Sequence, residues 1–254
     1  MIKVVLIGTG NVALQLFHTW RSAKEVEVIQ VAGRSPEKLR SFSSFTSTTS
    51  INQVNPDADI YILAVSDDAV REVAMQLPVN DKLILHTAGN LPLDVFNKGQ
   101  RSGVFYPLQT FSSSRRANFS EIPICIESKH KADLEQIRRL GLTLSEKVVE
   151  VSSDQRRYLH LAAVFANNFT NHLLKISQDI LVEKELDFEL LRPLIRETTS
   201  KVEELSPGEA QTGPARRSDT GTMDKHIDLL ENELHKDIYR LISKSIQINY
   251  GNKL

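Results

Sequence analysis

One short segment limits the possible folds more than any other: Gly8-Thr9-Gly10-Asn11-Val12-Ala13 follows an apolar run at residues 3–7 and opens a stretch with helical periodicity. A strand, a glycine turn and a helix in that order form the first β-α unit of a dinucleotide-binding sheet, the G-x-G-x-x-G/A pattern. Gly8 permits the turn, Gly10 lets the backbone approach a pyrophosphate, and Ala13 lets the helix lie close on the sheet. Thr9, Asn11 and Val12 then frame the start of the helix, where unsatisfied amides and the positive dipole end suit phosphate oxygens.

The rest of the first half of the chain fits this beginning. Short β-branched runs at residues 26–32, 60–65, 82–86 and 102–106 alternate with amphipathic stretches, and a short strand is expected in the Ser/Thr-rich segment 41–50. Strands this uniformly apolar suit a parallel sheet covered on both faces. Residues 11–22 place Val12, Leu16, Phe17 and Trp20 on one helical face, and residues 68–77 do the same with Val70, Val73, Ala74 and Leu77. Pro36 after Ser35 reads as another helix start.

From residue 152 the period changes. Residues 154–182 are helical in pattern and lack Gly and Pro, and 188–205 and 222–248 continue it, with Pro193 either kinking the middle segment or marking its start. Turn-forming residues at 206–214 separate the last two. The expected fold class is therefore α/β: a Rossmann-type, doubly wound parallel sheet in residues 1–152, followed by an all-α domain in 153–254 that would serve substrate binding and dimerisation.

The end of the second strand bears on cofactor choice. NAD-binding sheets place an acid there for the ribose hydroxyls, whereas this chain has Gly33-Arg34-Ser35-Pro36-Glu37-Lys38. The guanidinium of Arg34, the hydroxyl of Ser35 and the ammonium of Lys38 can bind a 2′-phosphate, so NADP(H) is the expected cofactor. Arg34 can also stack on adenine in either dinucleotide, or belong to a solvated basic turn.

Charge excludes other classes. The 31 Lys and Arg nearly balance 32 Asp and Glu, giving a net charge of −1 and no field to recruit nucleic acid or an anionic membrane. The single cysteine, Cys125, lies in an apolar run and rules out an internal disulfide, and the apolar N-terminal run is too short for a signal core. A cytoplasmic protein acting on a small molecule is expected.

With these residues in view, the chain resembles a family of Rossmann-like proteins with a C-terminal helical domain of unknown function, labelled as NADP oxidoreductases. The resemblance spans nearly the whole chain. Besides the glycine loop it rests on His86-Thr87-Ala88-Gly89, Pro107-Leu108-Gln109-Thr110-Phe111, His160 through Asn168, and Thr212-Gly213-Pro214 with Arg217, Asp219, Thr222 and His226. More distantly the chain is similar to 6-phosphogluconate dehydrogenases, ketopantoate reductases and pyrroline-5-carboxylate reductases. That likeness implies an NADP-binding sheet and a helical domain that closes over the nicotinamide and mediates dimerisation. Two positions depart from those relatives: Val164 stands where the helix of the hydroxyacid and ketopantoate branches carries a catalytic Lys four residues before the Asn that matches Asn168, and Tyr106 stands where many have His.

Three groups of residues are candidates for chemistry. His86 ends a strand at the carboxyl edge, where open α/β sheets bind ligands; it could pass a proton or simply shape the loop Thr87-Ala88-Gly89. Val65 and Ser66 after the preceding strand would join Thr87, Ala88 and Gly89 in lining the cofactor. His160, Asn167, Asn168 and Asn171 interrupt an apolar helical stripe, with His160 as a possible acid or base and Asn168 and Asn167 orienting substrate, or all of them serving interhelical hydrogen bonds. Arg217, Thr222 and His226 are candidate substrate contacts beside Asp219, which also reads as a helix cap. Asp67 and Asp68 read as a helix start, and no metal site is expected from the spacing of His, Asp and Glu.

Two functions fit: an NADP-dependent oxidoreductase acting on a small polar carbonyl, imine or hydroxy acid held between the domains, or a non-catalytic NADP(H) sensor. The apolar surface of the helical segments predicts a homodimer.

Overall fold

The computed structural model describes residues 1–97 and 99–250, which pack as two compact units, Met1–Asn167 and Asn168–Leu254. In the first, eight strands form one sheet: β1 (Ile2–Ile7), β2 (Val26–Ala32), β3 (Ser47–Thr49), β4 (Ile60–Leu63), β5 (Leu83–His86), β6 (Ser102–Pro107), β7 (Ile124–Ser128) and β8 (Val148–Glu150). Their spatial order is β3-β2-β1-β4-β5-β6-β7-β8, and every neighbouring pair is parallel except β6 with β7. The chain runs outward from β1 to β3, then returns to place β4 on the other side of β1. That reversal opens a crevice beyond the carboxyl ends of β1 and β4, where folds of this kind bind ligands.

Helices cover both faces. On one, α1 (Asn11–Trp20), α2 (Pro36–Ser43) and α4 (Lys131–Leu142) bury Leu16, Phe17, Trp20, Phe42, Ile137 and Leu140 against Val4, Leu6, Ile62 and Phe105. On the other, α3 (Val70–Gln76) sets Val70 and Val73 on Val5, Ile7, Tyr61 and Ile84. Alternate residues of β1 thus enter opposite cores, which is why the strand is apolar at every central position. Each fully buried Leu or Phe contributes about 1.5–3 kcal/mol of transfer free energy.

The segment from 107 to 151 holds more structure than its pattern announces. The run around Cys125 is strand β7, and α4 and β8 complete an extension of the sheet past β6. Cys125 is buried there, opposite Tyr106 of β6.

The first long helical segment is not continuous. α5 (Ser153–Ala163) passes through a π-helical stretch, Val164–Phe169, before α6 (Thr170–Glu183). A π turn inserts extra backbone per turn and rotates the helix beyond it, so the α-helical spacing that aligned His160 with Asn168 and Asn171 does not carry across it. Pro193 lies in the first turn of α7 (Arg192–Glu204), where it marks the start of that helix. α8 (Pro207–Ala210) is closed by a capping box between Ser206 and Glu209. The expected helix 222–248 is two helices, α9 (Thr220–Leu229) and α10 (Glu233–Tyr250). The Asn232 side chain accepts the amides of Leu234 (2.9 Å) and His235 (3.3 Å) and so begins α10 afresh.

In the second unit only Ile176, Ala215 and Met223 are buried apolar residues among those described. Leu190, Leu194, Leu234, Leu241 and Ile248 are all at least 60% exposed.

Candidate active site

The site is built outward from the turn between β1 and α1. Gly8 has φ +121°, and a Cβ there would meet the Ala64 carbonyl oxygen at 2.1 Å, so the turn can be made only by glycine. Gly10 is different. Its backbone is extended (φ −80°), which any residue adopts, and among the described residues no atom beyond its immediate chain neighbours and the adjoining helix backbone lies within 4 Å of where its Cβ would be. Neither strain nor internal packing asks for glycine at this position; the space is left open to something outside the chain.

The helix behind it suits an anion. α1 has no side-chain cap and no acid in its first turn, so the amides at Asn11 and Val12 keep their donors. The Asn11 side chain itself is occupied, donating to the Phe111 carbonyl (2.9 Å). Gln15, buried on the next turn, donates to the carbonyls of Ser112 (2.7 Å) and Arg115 (2.8 Å) and accepts from the Ala117 amide (3.1 Å). These contacts fix the loop after β6 against α1.

Thr9 packs against the end of β2, where a Cβ on Gly33 would come within 2.8 Å of its methyl. Next to it Arg34 and Lys38 are exposed and form no ion pair among the described residues, and Ser35 accepts the Lys38 amide as the cap of α2. An open cradle at Gly10, an uncapped helix and two free cations at the neighbouring strand end fit a phosphorylated dinucleotide.

The opposite side of the crevice is formed by the loops after β4, β5 and β6. Val65 and Ser66 lead into a 3₁₀ turn, Asp67–Ala69, with Ser66 at its cap position but making no side-chain cap. Desolvation pushes the Asp67 carboxyl above its ordinary range, and Asp68 adds to this while His160 opposes it.

His86 is fully buried; its Nδ1 accepts the Ala88 amide (3.2 Å), and its Nε2 has no hydrogen-bond partner among the described residues. Burial, reinforced by the field of Arg156 and opposed weakly by the Pro92 carbonyl, lowers its pKa to about 3. A neutral imidazole tied to Ala88 shapes the loop and does not titrate in the physiological range. Thr87 is held to the Leu63 carbonyl through its amide (3.3 Å), and Thr87 and Ala88 are nearly buried.

His160 stands at the end of α5 with Nδ1 3.1 Å from the Tyr106 hydroxyl, the two rings edge to face. A network that the sequence pattern did not reveal holds it there. Arg156, one turn earlier and wholly buried, pairs with Glu127 of β7 and donates to the Leu91 carbonyl. Ser153 donates its amide and hydroxyl to Glu127, both at 2.8 Å, and accepts the Leu93 amide at 2.8 Å. The start of α5 is thereby fastened to the sheet and to the loop that carries Gly89.

The remaining candidates have other surroundings. Asn167 and Asn168 are exposed within the π-helical stretch. Asp219 caps α9, accepting the Thr222 amide (3.1 Å) and hydroxyl (2.8 Å), so the Thr222 hydroxyl has a partner. His226 is 2.9 Å from the Tyr239 hydroxyl. Arg217 is exposed, while Arg216 bonds the Gln211 carbonyl. Among the described residues no cluster of His, Cys, Asp and Glu could hold a metal, and no helix is long and apolar enough to cross a membrane.

The chain has counterparts among known proteins. Residues 3–89 match the family described as NADP oxidoreductase, coenzyme F420-dependent, and residues 122–246 match a domain of unknown function. A candidate NADP oxidoreductase from Bacteroides fragilis is 37% identical and superposes with a TM-score of 0.89, covering 96% of this chain and 97% of its own. The chain belongs to this NADP oxidoreductase family. Other solved structures share the fold at lower identity. A Thermotoga maritima protein is 20% identical with a TM-score of 0.74, over 98% of this chain and 99% of its own. A reductive aminase from Aspergillus terreus, solved with NADPH and ethyl levulinate, is 13% identical with a TM-score of 0.73, over 99% and 95%. No curated protein matches the sequence.

Proposed function

We propose that this family member is an NADPH-dependent oxidoreductase acting on a small polar carbonyl, imine or hydroxy acid. The observation that carries the reading is the open space over Gly10 at an uncapped helix start, with Arg34 and Lys38 free at the next strand end. The amides of Thr9, Gly10, Asn11 and Val12 would hold the pyrophosphate, and Arg34, Ser35 and Lys38 the 2′-phosphate. Val65, Ser66, Thr87, Ala88 and Gly89 would line the nicotinamide side. Bound there, the cofactor supplies or accepts a hydride.

The chain's own residues do the rest. His86 keeps the loop after β5 in place and stays neutral. His160, partly exposed and paired with Tyr106, is the imidazole we assign to proton transfer with the substrate. Asn167 and Asn168, with Arg217, Thr222 and His226 of the second unit, belong to the proposal as substrate contacts. The reading extends to the cytoplasm, supported by a single buried thiol, and to a homodimer, supported by the exposed leucines of α7 and α10.

Fluorescence titration with NADPH and NADH tests it, followed by NADPH oxidation against 2-keto acids and cyclic imines. Arg34→Ala should weaken NADPH by about 10–100-fold, the worth of one charge-assisted hydrogen bond, and leave NADH unchanged. Equal loss for both dinucleotides would remove the 2′-phosphate assignment, and binding without oxidation of any substrate would point to a sensor.

A further inference from the structure

Within the first unit, Tyr106 lies near the carboxyl end of β6, one strand beyond the loop 87–89, and only 9% of it is exposed. Its hydroxyl meets His160 Nδ1, and both rings abut Gly89: a Cβ there would lie 2.6 Å from Nδ1 and 3.0 Å from the Tyr106 ring. The loop has no room for a side chain because two proton-bearing groups press on it. Arg156 anchors the helix one turn before His160, so the pair is held from both sides.

Resting on the oxidoreductase reading, we propose that Tyr106 delivers the proton to a carbonyl substrate and that His160 replaces it. When Nδ1 of His160 carries its hydrogen and donates it to the phenolic oxygen, the phenolic hydrogen is free to point at a ligand. Hydride reaches the carbonyl carbon, the π pair of C=O moves to oxygen, and that oxygen takes the proton from Tyr106 Oη. The phenolate recovers a proton from Nδ1–H as Nε2 of His160, a partly exposed residue, takes one from water, so the imidazole stays neutral throughout. The net change is carbonyl, NADPH and one proton to alcohol and NADP⁺.

The acid's strength suits this role. Burial pushes the Tyr106 pKa up to about 12, with Cys125 adding to the rise and Arg156 opposing it. So weak an acid gives its proton readily to an alkoxide, a much stronger base than phenolate.

The test compares wild type with Tyr106→Phe and His160→Gln, using NADPH binding by fluorescence, turnover of pyruvate, acetoacetate and 1-pyrroline, and ¹⁵N NMR of labelled histidines. Expected are unchanged NADPH affinity in both variants, a kcat for the keto acids lowered about 10²–10⁴-fold in Tyr106→Phe with KM little changed, and a smaller loss in His160→Gln. The His160 signal should show a proton on Nδ1 in wild type and a changed tautomer balance in Tyr106→Phe. A kcat in Tyr106→Phe within threefold of wild type overturns the proposal. So does faster reduction of 1-pyrroline than of the keto acids, failure to reduce any keto acid with NADPH bound, or a His160 protonated only on Nε2. If wild type does not bind NADPH at all, the oxidoreductase reading itself fails, and this binding measurement shows it before any substrate is added.

Discussion

In the first unit β1, β4 and β5 are buried along nearly their whole length and two apolar layers close over the sheet, whereas in the second α10 runs for 18 residues without burying one. Both regions carry apolar residues at the right period, so periodicity alone does not produce a core. A two-faced sheet gives each strand residue a helix to pack on, and the unit completes itself. A few helices leave their leucines facing outward unless another surface covers them. The contrast is what the proposed dimer rests on: the first unit closes its own core, and a second copy would cover the leucines that the second unit leaves exposed.

The largest test of this contrast is Arg156→Ala. It strips the partner from Glu127 in a pair with one side fully buried, and should destabilise the first unit by about 3–5 kcal/mol in urea unfolding. A loss under 1 kcal/mol would mean that α5 is not fastened as described. Next comes a pair of substitutions, one from each region. Ile62→Ala, at a wholly buried site, should cost about 2–5 kcal/mol at any protein concentration. Leu241→Ala, at a side chain 70% exposed, should cost less than about 0.5 kcal/mol in dilute monomer but lower the Tm increasingly as concentration rises. A Tm independent of concentration in wild type would break the dimer reading.

The last test is a pH slope. Because the folded pKa of His86 lies near 3 and the unfolded value near 6.5, the unfolded chain binds a proton in that window that the folded chain does not. Its contribution to stability is therefore complete above about pH 6.5 and is lost as pH falls toward 3, by up to about 1.4 kcal/mol per pH unit. His86→Gln should show a shallower decline over pH 6.5–4; an unchanged slope would mean that His86 is protonated in the fold.

The proposed cofactor half of the candidate site could be written down from the sequence because it is made of backbone. Gly8, Gly10 and Ala13 are read from spacing, and the neighbouring strand end from the absence of an acid at Arg34. The proton-bearing half was legible only in pieces. His86 and His160 stood out as types, yet nothing in the spacing says that His86 is sealed and neutral while His160 meets Tyr106, 54 residues away in sequence. Glu127, Ser153 and Arg156 gave no signal, since an ionic residue at a helix start reads as solvated surface until the strand beside it is known.

The order of residues along the chain determined the strand-turn-helix beginning, the parallel sheet and the change to helices after residue 152, because each depends on local periodicity and on backbone freedom at a few glycines. Tertiary structure decided which imidazole keeps contact with solvent, where the helix yields to a π turn, and which leucines stay uncovered. Those outcomes depend on what a side chain meets from distant segments, and burial sets both its charge and its partner.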